Sequence, residues 1–205
     1  MEKLVLHEYA PSGNCYKIRL TAALLGVPLE RRGYDILKGE TRTPDFLAQV
    51  NANGRIPVLQ IGARQLPESN AACVWLAHGS GLIPVDRFDH ADMLRWMFFE
   101  QYNHEPNVAT LRFWLAFIGE ENLTDAQRAQ IPARRAGGEA ALALMDEHLT
   151  GRGYFVGDAL TLADIALFAY THVAGEGDFD LAAYPAVGAW LARVSATPAF
   201  VPLRA

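Results

Sequence analysis

The stretch LVLHEYAPSGNCYKIRLTAALLGVPLERRGYDI, residues 4–36, sets the architecture of the first half of the chain. Leu4 to Tyr9 is a predicted strand, and Ala10-Pro11-Ser12-Gly13 breaks it with turn-forming residues. Cys15, Ile18, Ala22 and Leu25 then recur at helical spacing, and Gly26 followed by Pro28 stops that helix. Leu29 to Ile36 is a second predicted strand. A β-helix-β unit this short implies two parallel strands joined by a right-handed crossover.

Outward from that unit, Thr43-Pro44 is an N-cap with proline in the first turn, opening a short helix through Val50. Pro57–Ile61 and Arg64–Leu66 are two short strands around Gly62-Ala63, a hairpin signal with glycine first. A last helix runs from Ser69 to His78 and ends at Gly79. The order β-α-β-α-β-β-α, with one parallel and one antiparallel pair, describes an α+β thioredoxin-like domain over residues 1–79. Residues 80–89 read as a linker, with Gly81, Pro84 and Asp86. Beyond it strand signals vanish, and residues 90–205 read as an all-helical domain: Ala91–Ile118, Ala133–Leu149, Leu162–His172 and Pro185–Val194. Pro106 should interrupt the first of these. The helix from Leu162 is apolar nearly all round, which marks it as the buried centre of the second half.

With 205 residues, half of them hydrophobic and a fifth charged, the composition is that of a globular protein. A net charge of −5 and a pI near 5.7 give no basic face for nucleic acid or anionic lipid. No apolar run approaches membrane-spanning length, and the opening MEKLVLHEYAPSG does not have the pattern of a leader. Two cysteines, Cys15 and Cys73, make no disulfide framework, so a reducing cytoplasmic setting is expected. The six histidines show no ligand spacing, and no metal is expected.

Four short motifs stand in fixed order: Ser12-Gly13-Asn14-Cys15-Tyr16-Lys17, Arg55-Ile56-Pro57, Glu68-Ser69, and Thr161-Leu162-Ala163-Asp164. Together they resemble the cytosolic glutathione S-transferase superfamily over essentially the whole chain, and within it the bacterial nu-like and theta-like serine types. The resemblance implies that glutathione lies where two helix amino-termini point. Such ends carry unsatisfied N–H groups and roughly half a positive charge, which suits anions. The first helix would receive the thiolate and the third the γ-glutamyl carboxylate.

Ser12 is the residue the family places at the glutathione sulfur. Lowering a thiol from about 8.5 by about two units takes roughly 3 kcal/mol. A hydrogen bond to a charged group supplies about 1.5–3 kcal/mol and a helix terminus about 0.3–2 kcal/mol, so one hydroxyl and one dipole suffice without a general base. Alternatively Ser12 only caps its helix. Asn14 is either a second donor to the sulfur or a turn former. Cys15 is the alternative nucleophile, but it begins an apolar stripe and fits core packing better.

The resemblance makes Ile56-Pro57 a cis-proline site whose Ile56 backbone pairs with the cysteinyl part of glutathione, where a trans proline at a strand edge is the ordinary reading. It gives Arg55 a glutathione carboxylate, sets Lys38 and Thr41 near the glycyl carboxylate, and lets Ser69 cap the third helix while binding the γ-glutamyl carboxylate. Glu68 would accept from the ligand's ammonium. Thr161 and Asp164 form a capping box with a structural role. The aromatics Trp96, Phe98, Phe99, Tyr102, Phe113 and Trp114 are expected to pack the long helix or line a hydrophobic co-substrate pocket. Tyr102, His104, Glu105 and Arg112 are more polar than a helix core wants; they face the cleft or a dimer partner or, by default, lie on exposed helix surface. The implied function is an enzyme that activates glutathione as a thiolate and conjugates it to a small hydrophobic electrophile, as a cytosolic homodimer. A glutathione-dependent disulfide or peroxide reductase and a non-catalytic scaffold are the alternatives.

Overall fold

The computed structural model describes residues 2–204, and they divide into two compact units. The first runs to Ile83 and takes in the residues from Pro198 onward; the second is Pro84–Thr197.

In the first unit, β1 (Leu4–Glu8), α1 (Gly13–Leu24), β2 (Glu30–Gly33), α2 (Pro44–Gln49), β3 (Val58–Ile61), β4 (Arg64–Pro67) and α3 (Ser69–Leu76) follow the expected order. The four strands form a mixed sheet in the order β2-β1-β3-β4. β1 is parallel to β2 and antiparallel to β3, and β3 is antiparallel to β4. The pairing of β1 with β3 adds a second antiparallel contact to the one expected. It closes the sheet around the two strands with the most apolar residues, where Val5, Leu6, Val58 and Leu59 are buried. Ile61 pairs with Arg64 across the two-residue turn, and Gly62 supplies the positive φ of 57° that the turn needs.

β2 is shorter than predicted because Asp35 ends it. The Asp35 carboxylate accepts from the N–H groups of Leu37 and Lys38 and opens a 3₁₀ turn over Ile36–Lys38. α1 packs on α3 and is buried on more than one face, with Cys15, Ile18 and Leu20 fully enclosed. Burying a side chain such as Ile18 or Leu20 stabilises by about 1.5–3 kcal/mol. The last residues, read from sequence as part of the helical half, group with this unit for a specific reason. The Tyr16 hydroxyl donates to the Val201 carbonyl at 2.7 Å, and Arg19 Nη1 donates to the Leu203 carbonyl at 3.1 Å.

The second unit is helical: α4 (Arg87–Phe99), α5 (Glu105–Arg112), α6 (Asp125–Arg128), α7 (Ile131–Leu149), α8 (Leu162–Thr171) and α9 (Pro185–Ser195). The long pattern from Ala91 breaks where Pro106 foretold it. A π-type turn over Glu100–His104 takes up the lost backbone bond, and Pro106 falls in the first turn of α5. All ten residues of α8 are buried. His104 and Arg112, expected at the surface, are buried as well. Each has a polar partner inside: His104 Nε2 lies 3.0 Å from the Thr171 hydroxyl, and Arg112 Nε donates to Glu176 at 2.8 Å. Phe98, by contrast, is exposed instead of packing the helix, and Tyr102 is exposed in keeping with its polar hydroxyl. Among the described residues no helix is long and apolar enough to cross a membrane.

Asp164 is the polar hub of this unit. Its carboxylate accepts from the Phe155 N–H at 3.1 Å, the Trp190 Nε1–H at 2.9 Å, and the Thr161 N–H and hydroxyl at 2.8 and 3.0 Å. Burial pushes this carboxyl up, and the four donors oppose the shift. Thr161→Ala should therefore lower stability by about 0.5–2 kcal/mol while sparing ligand binding in the first unit. Asp164→Ala should cost more, because each buried donor left unpaired costs roughly 1–3 kcal/mol. Urea unfolding measures both; an Asp164→Ala midpoint equal to wild type would show that the hub is dispensable.

Candidate functional site

The strand registers bring together, along one edge of the sheet, the strand ends from which the candidate segments leave. His7 stands opposite Arg32 and Val58, and Val58 stands opposite Pro67. One step further on, β1 leads into Tyr9–Asn14, β2 into residues 34–38, and β4 into Glu68-Ser69, while Ile56-Pro57 leads into β3. The edge thus carries, from β2 to β4, Lys38, then Ser12 and Asn14, then Arg55, Ile56 and Pro57, then Glu68 and Ser69.

Ser12 caps α1, with its Oγ accepting from the Cys15 N–H at 3.3 Å. A hydroxyl that accepts with one lone pair keeps its hydrogen for donation, so capping and activation of a ligand sulfur are compatible roles for one side chain. α3 begins in the same place. Its first residue, Ser69, is buried, and its hydroxyl donates to Asn14 Oδ1 at 3.1 Å. That bond joins the amino-termini of α1 and α3, which are 55 residues apart in sequence. Ser69 was expected to cap α3; instead Glu68 stands at the cap position with no side-chain capping bond, and Ser69 turns its oxygen to Asn14. Glu68 itself adopts φ 73° and ψ 111°, a conformation that costs a non-glycine residue of order 1–3 kcal/mol and is typical of functional sites. Its side chain is exposed.

The remaining candidates sit around this core. The Ile56-Pro57 bond is cis. Arg55 is exposed, and its carbonyl accepts from Asn51 Nδ2 at 2.9 Å. Lys38 is exposed on the 3₁₀ turn, with Nζ 3.2 Å from Asp35 Oδ2. Thr41 is buried, as Ser69 is. Lys38, Arg55 and Ile56 share with the Ser12–Asn14–Ser69 group the same edge of the sheet.

Other sulfur and hydroxyl groups nearby are unsuited to the chemistry. Cys15 is fully buried, and burial pushes its thiol up to about 12, outweighing hydrogen bonds at Ser12 and the Tyr9 backbone that lower it. The Tyr16 hydroxyl is committed to Val201, and burial raises it too. Among the described residues no group of three or more His, Cys, Asp or Glu is placed to hold a metal ion.

Sequence reasoning passed over Glu8 and Arg19. Glu8, at the end of β1, is buried and lies 3.2 Å from Arg19 Nε; it also pairs with Arg31 on β2. Arg19 Nη2 donates to the Ala10 carbonyl at 2.7 Å, in the turn that delivers Ser12. The readable signal was a charge four residues after Cys15, inside an otherwise apolar helix face.

A family model for the glutathione S-transferase N-terminal domain matches residues 11–78, and one for the C-terminal domain matches residues 107–198. A possible glutathione S-transferase from Rhodopseudomonas palustris is 46% identical with a TM-score of 0.92, covering 98% of this chain and 89% of that one. The glutathione S-transferase from Pseudomonas fluorescens is 44% identical with a TM-score of 0.91, covering 98% of both. Glutathione S-transferase 3 from Zea mays is 31% identical over 209 residues, 98% of this chain and 92% of that protein.

The enclosed thiols make a direct test of the site's chemistry. At about pH 8 a thiol with a pKa near 12 is ionised in about one molecule in ten thousand, so a thiol reagent should leave Cys15 unlabelled in the native protein. Both cysteines should react after unfolding. Rapid native labelling of Cys15, read by mass spectrometry, would contradict its assignment to the core.

Proposed function

The chain belongs to the glutathione S-transferase family, and on that footing we propose that it binds glutathione along the described sheet edge, holds its thiol as a thiolate and conjugates it to small hydrophobic electrophiles. The observation that carries this reading is the Ser69–Asn14 hydrogen bond, which sets two positive helix ends side by side. One end offers the Ser12 hydroxyl to a sulfur anion. The other offers the backbone N–H groups of α3 to the γ-glutamyl carboxylate, held in place by the Ser69 hydroxyl through its bond to Asn14, with the exposed Glu68 carboxylate beside them for the ammonium.

Lengths agree with that arrangement. An extended tripeptide spans roughly 10–11 Å, and neighbouring strands lie about 4.8 Å apart, so one glutathione reaches across about two strand spacings. With its γ-glutamyl end at β4, its cysteinyl part falls beside Ile56 and Ser12, where Ile56 main-chain groups pair with it. Its glycyl end then points toward Lys38, and Arg55 takes a carboxylate at the same rim. Asn14 in this reading joins the two half-sites and leaves the thiolate to Ser12. The protein works as a cytosolic homodimer, and Phe88, Phe98 and Tyr102 are exposed aromatic side chains that a second copy would cover. A scaffold without catalysis would have no use for a strained Glu68 next to a buried, directed Ser69.

Calorimetry with glutathione and ultraviolet titration of the bound thiol test the proposal. Ser12→Ala should raise the bound thiol by about one to two pH units and lower kcat/KM roughly 10- to 100-fold, the value of one hydrogen bond to a charged group. Ser69→Ala should weaken glutathione binding about tenfold and leave the thiol titration nearly unmoved. If glutathione fails to bind at millimolar concentration, or Ser12→Ala leaves the thiol unchanged, the proposal is wrong. Turnover of disulfides or hydroperoxides in place of electrophiles would retain the site and reassign the reaction.

A further inference from the structure

Arg19 and the carboxy-terminal residues are bound to the turn that delivers Ser12. Arg19 lies seven residues after Ser12 and four after Cys15, on the face of α1 that turns inward, and its side chain is 6% exposed. Its guanidinium is held on three sides: Nε faces Glu8 Oε2 at 3.2 Å, Nη1 donates to the Leu203 carbonyl at 3.1 Å, and Nη2 donates to the Ala10 carbonyl at 2.7 Å. The turn beyond Ala10 closes with the Ser12 N–H donating to the Tyr9 carbonyl at 2.9 Å. Two residues before Leu203, the Val201 carbonyl accepts from the buried Tyr16 hydroxyl at 2.7 Å. Leu203 itself is buried.

A planar guanidinium with donors on two carbonyls and a carboxylate along its remaining edge cannot rotate without breaking one of them. Each of those carbonyls belongs to a segment with no regular structure of its own: the Tyr9–Ser12 turn and the tail. We propose that Arg19 is a positioning residue for Ser12, and that the tail, through the Leu203 carbonyl, is part of the apparatus that fixes the hydroxyl against the ligand sulfur. This inference rests on Ser12 activating a bound thiol. It explains why a helix that packs against the sheet carries a buried cation in its apolar face. The guanidinium turns a side-chain contact at the far end of the chain into backbone placement at the first helix end. Hydrogen-bond strength to an anion falls steeply with misplacement, so a shift of a few tenths of an ångström at Ser12 is read out in the bound thiol's titration, and in ligand affinity only at pH values where that thiol is ionised.

The test uses the full chain with glutathione. Below the pH at which the wild-type bound thiol titrates, Arg19→Met should lower kcat about tenfold with the glutathione KM within about twofold of wild type, and it should raise the bound thiol's titration by about one pH unit. Arg19→Lys, which keeps the charge beside Glu8 but cannot hold both carbonyls, should fall between. Deleting residues 203–205 should move the titration in the same direction by a smaller amount. A folded Arg19→Met protein whose bound thiol titrates as in wild type overturns the proposal. Should Arg19→Met fail to fold, an unmoved titration in the deletion variant overturns it equally. Wild-type protein whose bound thiol titrates like free glutathione overturns the functional reading itself, and this inference with it.

Discussion

The hydrogen bond from Ser69 to Asn14 is the constraint on which the site depends, because it joins two helix ends that the chain reaches 55 residues apart. A single helix terminus contributes about 0.3–2 kcal/mol toward an anion, too little by itself to hold both a thiolate and a carboxylate in register. In the proposed site, two termini set side by side, with the Ser12 hydroxyl at one and the backbone N–H groups of α3 at the other, present positive charge to the two anionic groups of a small peptide. Glu68 shows the cost of the arrangement. Its left-handed backbone costs of order 1–3 kcal/mol, and it is what turns the chain from β4 directly into α3 with Ser69 facing Asn14.

Behind that constraint is a sheet built to be stiff where the loops leave it. The Glu8 carboxylate ends β1 between Arg19 and Arg31, and His7 spans from Tyr34 to Gln60 at 2.8 and 3.0 Å, so the strands that carry the loops are cross-tied on both faces of the edge. The isolated desolvation of a buried carboxylate and guanidinium is expensive, and the additional carbonyl acceptors at Ala10 and Leu203 offset it. The helical unit uses a related device at Asp164, where four donors surround one carboxylate. In each unit the buried ion organises backbone that has no helix or strand of its own.

Much of this was legible in the sequence, and the limits have a physical pattern. Local periodicity and punctuation placed β1, α1, the hairpin at Gly62, the stop at Gly79, the interruption at Pro106 and the buried α8, because each depends on residues within one or two turns of one another. Ser12 as a cap was one of two readings its position allowed, and the cis bond at Ile56-Pro57 followed from the family resemblance, where the proline alone suggested trans. Side-chain partners across long separations did not follow. Nothing in spacing says that Ser69 donates to Asn14 instead of capping α3, that Arg19 reaches Leu203 across 184 positions, or that His104 and Arg112 are buried because Thr171 and Glu176 wait for them. β2 was drawn too long for a related reason: its end is set by the Asp35 carboxylate binding the backbone, which competes with a strand pattern that continues through Ile36.

A double-mutant cycle on glutathione affinity addresses the joining of the two helix ends most directly, with Asn14→Ala, Ser69→Ala and the pair measured by calorimetry. If the Asn14–Ser69 bond holds the half-sites together, the two losses should overlap, with a coupling energy of at least about 0.5 kcal/mol. Losses that add, each the same with the other residue present or absent, would mean that the two ends bind independently and that the bond is incidental.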